Sequence, residues 1–380
     1  MMSESPGLLL TILSFVVLIG PLVFIHEMGH YLAGRLFGVH AETFSIGFGR
    51  EIGGWTDRRG TRWKVGVLPL GGYVKFAGDM NPASTPDPAW LALPAAERSR
   101  TFQAKPVWQR MIIVAAGPAT NFLFAILVFA ALFGAYGEPR TPPVATAVLA
   151  GSAAAKAGIV PGDRIVSIGG RAITRFEDIA DVVAIRPGIA MDVVVERSGR
   201  RIETLATPDV DIRRDRFGNE AKLGRLGIAG SGRAIVPLAW YEVPSAAVAQ
   251  TGRVVGMMVV TMGQLVTGER SVKEMAGPIG MARLAGQQAT IGWLDFLGLM
   301  TMISINLGFI NLLPVPMLDG GHLLFYALEA FRGRPVDRKV QEWAIRSGMA
   351  VLLALMMFVT LNDLNTIGLW RGIAGLIARG

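Results

Sequence analysis

The stretch Phe24-Ile25-His26-Glu27-Met28-Gly29-His30 reads H-E-x-x-H. On a helix, His26 and His30 stand four residues apart, so both imidazoles project from one face about a turn apart. That spacing lets two ring nitrogens bind one zinc ion. Glu27 lies beside such a metal without ligating it, placed to take a proton from water as a general base. The chain has no cysteine and only four histidines, His26, His30, His40 and His322. Disulfides and thiolate ligands are therefore excluded, and a third ligand must be another His or an Asp or Glu.

The element that carries the motif is unusual. Leu8 to Ile25 is an uncharged run of 18 residues. At roughly 1.5 Å per residue it makes about 27 Å of helix, close to one membrane crossing. His26, Glu27 and His30 continue that helix, and ionisable residues at such depth are functional candidates facing the protein interior or a watery cavity. Composition agrees: 51% of the 380 residues are hydrophobic and 17% charged, with a mean hydropathy of +0.44. This is an integral membrane protein with soluble parts. The net charge of +8 is spread through loops, which fits the positive-inside bias and gives no reason to expect nucleic acid. Met1 to Gly7 has no Lys or Arg, so no signal peptide is expected.

Along the chain, helix one is predicted over residues 7–35, with Pro21 kinking it before the motif. Residues 42–79 read as short strands separated by Gly-rich turns, a membrane-associated hairpin whose edge suits an extended peptide. Residues 80–106 read as loop. Helix two, Met111 to Gly137, has 27 uncharged residues and opens on AGPATN, where Pro118 and Asn121 stand in an apolar setting. Residues 142–208 form a small α+β domain. Val254 to Gly268 has 15 residues and is expected to lie in the interface. Helix three, Phe296 to Leu318, is 23 uncharged residues long. Its Asn306, Asn311, Pro314 and Pro316 mark broken helix or backbone lining a cavity. A basic loop at 329–346 and helix four, from Ser347 to about Trp370 with an interruption at Asn362-Asp363, complete the chain.

The expected fold is thus a polytopic α-helical membrane protein with about four transmembrane helices. Its divisions are 1–41, 42–106, 107–141, 142–208, 209–292, 293–328 and 329–380. Arg35, Arg50, Arg58 and Arg59 follow helix one, which puts the N-terminus outside and the motif toward the cytoplasm. Helix three then ends on the motif's side, so Asp319 has the right depth for a third ligand. His322 is of an equally acceptable ligand type.

The phrase AGIVPGDRIVSIGG resembles the PDZ domains attached to bacterial membrane proteases. Together with His26-Glu27-x-x-His30, AGPATN and Asn311-Leu-Leu-Pro-Val-Pro-Met-Leu-Asp319-Gly-Gly, it makes the chain similar to bacterial site-2 proteases, closest to the regulator-of-sigma-E protease group. The resemblance implies one zinc ion held by His26, His30 and Asp319, with Glu27 as base. It implies that Asn306, Asn311 and Pro314 help hold substrate, and that the hairpin around Gly47, Phe48, Gly49, Val67 and Gly71 pairs with it. It implies single-span membrane protein substrates, such as anti-sigma factors or signal-peptide remnants, cleaved after a first extracytoplasmic cut. The setting would be the bacterial inner membrane, with lipid around the helices, the PDZ domain on the periplasmic side and peptide C-termini as its ligands. Where many of the group carry two PDZ domains, this chain has room for one. A non-catalytic scaffold has no need of Glu27, and a metal transporter would more often show repeat-related helices, which are not seen.

Overall fold

The computed structural model describes residues 7–79, 92–184, 186–214, 220–230, 232, 234–267 and 277–366. The chain forms two compact units, one of residues 1–129 with 247–380 and one of residues 130–246.

In the first unit, helix α1 (Leu8–Leu36) continues through the motif without a break. Strands β1 (Ala41–Thr56) and β2 (Arg62–Phe76) follow. Thr43 to Ile46 are in register with both Lys75 to Gly72 and Arg62 to Val65, and Gly53 to Thr56 pair with Val65 to Arg62. The two strands therefore fold back into a small sheet rather than a simple hairpin. Phe44 anchors it: 1% exposed, the ring stacks on Trp63 and meets Phe24 and Tyr31 of α1 edge-on. Burying such a side chain contributes about 1.5–3 kcal/mol.

Helices α2 (Ala95–Arg98) and α3 (Val107–Tyr136) come next. Thr120 of α3 donates to the Ile25 carbonyl and His30 reaches Ile113, so α1 and α3 run antiparallel. The long polar segment of the second unit separates α3 from α6 (Val243–Thr267), α7 (Pro278–Ile291), α8 (Trp293–Asn311), α9 (Asp319–Arg332) and α10 (Arg338–Thr366). Ser304 of α8 donates to the Asn121 carbonyl, and Gly308 abuts Pro118, so α8 is antiparallel to α3 and parallel to α1.

The second unit holds β3 (Glu138–Arg140), β4 (Ala145–Val148), α4 (Ala153–Lys156), β5 (Arg164–Ile168), β6 (Arg171–Ala172), α5 (Phe176–Ala184), β7 (Met191–Arg197), β8 (Arg200–Ala206), β9 (Asp209–Arg214), β10 (Glu220–Arg225), β11 (Ile228–Gly230) and β12 (Ala234–Val236). An antiparallel sheet runs β6-β5-β7-β8, while β11 pairs with β4, β10 with β9 and β12 with β3. Met191, Val193 and Val195 of β7 alternate into a core with Ile165, Ile168, Ile179 and Leu226. Asp163 is fully buried and receives two hydrogen bonds from Arg197, at 2.7 and 2.8 Å, and one from the Val160 N–H.

Three boundaries differ from the sequence reading. The α+β domain does not stop at 208: Leu226 lies in its core and β11 joins β4, a pairing too distant along the chain to leave a local pattern. The helix expected to reach Leu318 stops at Asn311, because Pro314 and Pro316 remove backbone donors. Helix four begins earlier, at Arg338, absorbing the second half of the basic loop, and α10 runs on through Asn362-Asp363; its expected end near Trp370 lies outside the described residues. Among the described residues, five helices are long and apolar enough to cross a membrane by length and composition: Leu8–Leu36, Val107–Tyr136, Val243–Leu265, Trp293–Asn311 and Lys339–Leu364. Val243–Leu265, which contains the stretch expected in the interface, is the least apolar of these.

Candidate metal centre

The break after α8 positions the third member of the site. Residues 312–318 turn back, with Met317 at φ +86°, and α9 starts at Asp319. A Cβ on Gly320 would lie 2.2 Å from the Leu313 carbonyl oxygen, so the returning turn can sit on the first turn of α9 only because a glycine follows Asp319.

This fold brings three ligand-type atoms together. His26 Nε2 and His30 Nε2 are 3.3 Å apart. Asp319 Oδ2 lies 3.2 Å from the first and 3.5 Å from the second. Zinc bonded to N and O ligands at ~2.0–2.1 Å with tetrahedral angles sets its ligand atoms about 3.3–3.4 Å apart. Asp319 Oδ2 is buried and has a hydrogen-bond partner in neither imidazole, which is the condition of an acceptor meant for a cation. The Ile113 carbonyl lies 2.9 Å from His30 Nδ1. A carbonyl only accepts, so Nδ1 carries the hydrogen and Nε2 presents its lone pair. The side chain of Asn121 lies 3.0 Å from His26 Nδ1. The residues present fit a single zinc ion.

His26, Glu27 and His30 are 7%, 7% and 9% exposed. The Val74 backbone N–H hydrogen-bonds the Glu27 carboxylate, which ties the sheet edge to the motif helix. A cavity of about 350 Å³ opens over the group, lined by α1, α3, the end of α8 and β2. Of the residues expected to touch substrate, Asn311, Phe48 and Gly71 line it; Asn306, Pro314, Gly47, Gly49 and Val67 do not. His322 lines the cavity too, but the three-residue group holds Asp319 and not His322. His40 lies beside Gly60 in the β1–β2 turn.

Sequence reasoning missed three contacts: Val74 on Glu27, Ile113 on His30 and Asn121 on His26. The first two are backbone groups and leave no residue-type signal. The third had one, an asparagine inside an apolar helix.

Peptidase family M50 matches residues 14–355 of the chain. The chain belongs to this family. A protein of Agrobacterium fabrum that carries a zinc metalloprotease name is 45% identical over 366 residues, covering 94% of this chain and 96% of its own. Metalloprotease MmpA of Caulobacter vibrioides is 38% identical over 395 residues, covering 97% of this chain and 99% of its own. A PDZ domain of the SdrC-like protein of Listeria monocytogenes aligns with 25% of this chain at 16% identity and a TM-score of 0.17. As a member of the M50 (site-2 protease) family, the chain is a membrane-embedded metalloprotease with a catalytic zinc ion. Membership of this family implies intramembrane proteolysis.

Proposed function

We infer that this M50 peptidase cuts single-span membrane proteins, such as anti-sigma factors or signal-peptide remnants, after a first extracytoplasmic cut has removed most of their outer part. The observation that carries this reading is the convergence of His26 Nε2, His30 Nε2 and Asp319 Oδ2 beside Glu27, in a cavity walled by apolar helices.

His26, His30 and Asp319 would hold the zinc ion, which would supply Lewis-acid polarisation of the scissile carbonyl and of the attacking water. Glu27 accepts the proton of that water and hands it to the leaving amine. A transmembrane substrate hides its amides in its own helix and must unwind locally. The outer edge of β2 at Gly72 to Val74 faces the cavity and takes up the freed backbone by strand addition. Asn311, Phe48 and Gly71 contact the substrate. Asn306, Pro314, Gly47, Gly49 and Val67 act from outside the cavity, by shaping the helix break and the sheet turns.

Four helices span the bilayer in this reading. Because α8 is antiparallel to α3, the chain leaves α3 and enters α8 on the same side. A crossing by α6 would need a return crossing by α7, whose 14 residues make about 21 Å of helix, short of the ~30 Å hydrocarbon core. So α6 lies in the interface, and α1, α3, α8 and α10 cross. Arg332, Arg334, Lys339 and Arg346 then fall on the cytoplasmic side of an inner membrane, with the second unit periplasmic. That unit is read as a PDZ domain whose groove, a cavity of about 140 Å³ between α5 and Gly224 to Ile228, takes a peptide C-terminus.

The test is cleavage of a purified single-span protein, intact and trimmed, with the cut mapped by mass spectrometry. A cut in or near the transmembrane segment, faster on the trimmed form and blocked by a zinc chelator, is expected. A cut confined to soluble regions would contradict the reading.

A further inference from the structure

Asn121 is fully buried in α3, and its amide touches a ring that the site needs as a ligand. Its Nδ2 lies 3.0 Å from His26 Nδ1, and its Oδ1 is buried with no hydrogen-bond partner. In that orientation the amide N–H₂ donates to Nδ1, and a neutral imidazole must then carry its hydrogen on Nε2. Nε2 is the atom that faces Asp319 and His30, so this state of the ring cannot ligate. An asparagine amide presents either end by turning about Cβ–Cγ. With the oxygen toward His26, Nδ1–H donates to it and the Nε2 lone pair faces the other two ligand atoms. His30 already has this arrangement through the Ile113 carbonyl.

We propose that Asn121 is the positioning residue of His26: in the zinc-loaded protein its side-chain oxygen accepts the Nδ1–H and holds the ring in its ligating state. Ser304 braces the residue by donating to the Asn121 carbonyl at 2.9 Å. A ligand histidine usually gives its second N–H to a carboxylate or carbonyl. At this depth, beside Glu27 and Asp319, a neutral acceptor avoids burying a further negative charge.

The proposal rests on the reading of His26 as a ligand, and the test separates the two. Full-length protein is purified in detergent as wild type, Asn121→Asp, Asn121→Leu and His26→Ala. Zinc affinity is measured by chelator competition, and the His26 ring state by ¹⁵N shifts in histidine-labelled wild type. Asp accepts but does not donate when ionised, so Asn121→Asp should bind zinc within a few-fold of wild type, while Asn121→Leu loses roughly 10–100-fold. The loaded wild type should show His26 protonated at Nδ1. Loss of zinc in Asn121→Asp equal to that in Asn121→Leu, or a wild-type ring protonated at Nε2 when loaded, overturns the proposal even if Asn121→Leu fails to fold. Wild-type zinc affinity in His26→Ala would instead overturn the ligand reading beneath it.

Discussion

Gly117 of α3 lies directly against the imidazole of His30: a Cβ built on Gly117 would come within 2.2 Å of His30 Nε2. The glycine of AGPATN is therefore the floor of the proposed metal site. Gly117→Ala should push the ring off its ligand position and lower zinc affinity by at least about tenfold, on the scale of lost ligand support. Metal analysis after dialysis, beside a circular dichroism spectrum, checks this. Wild-type zinc content would mean that α3 yields and the contact is not structural.

Asp319 and His322 are both on α9 and both at the cavity, but only the carboxylate joins the two imidazoles. Asp319→Ala should lose zinc and activity together, whereas His322→Ala should keep zinc within a few-fold. The reverse order in a metal titration would give the ligand role to His322.

The motif was legible because both histidines lie on one turn of one helix, where spacing alone sets geometry. Asp319 was legible as a candidate and ambiguous with His322, because choosing between them depends on how residues 312–318 fold back. Asn362-Asp363 misled for a related reason. A carboxylate in an apolar run looks like a helix break, yet Asp363 accepts hydrogen bonds from the Gly277 N–H at 3.1 Å and the Gly280 N–H at 2.8 Å. It caps α7 from a distant helix, a tertiary use that no window of sequence displays. In the same way, β11 belongs to the second unit through β4, which the polar, Gly-rich run after 208 conceals.

That cap gives a stability test. Asp363→Ala should cost about 0.5–2 kcal/mol by leaving the first turn of α7 without its acceptor, and Asp363→Asn should restore most of it. Thermal unfolding of the three proteins in one detergent decides; an Asn variant no better than Ala would assign the loss to something other than capping.

Asp163 links the second unit to pH. Hydrogen bonds from Arg197 hold its carboxyl below the ordinary value, burial opposes them, and the Val160 N–H adds to the lowering. A depressed carboxyl stabilises the fold fully above the unfolded value, about 3.9, and loses that contribution as pH falls through the folded one. The stability gap between wild type and Asp163→Asn should therefore be constant near neutrality and narrow below about pH 4. A gap that widens on acidification would reverse the sign.

The central claim is that Glu27 moves the proton while His26, His30 and Asp319 hold the metal. It is tested most directly by Glu27→Gln, assayed for zinc content and for cleavage of a trimmed single-span substrate in one preparation. The account predicts wild-type zinc with cleavage reduced by two or more orders of magnitude, on the scale of about 10²–10⁴-fold for lost general-base catalysis. Cleavage at the wild-type rate with zinc bound would contradict it.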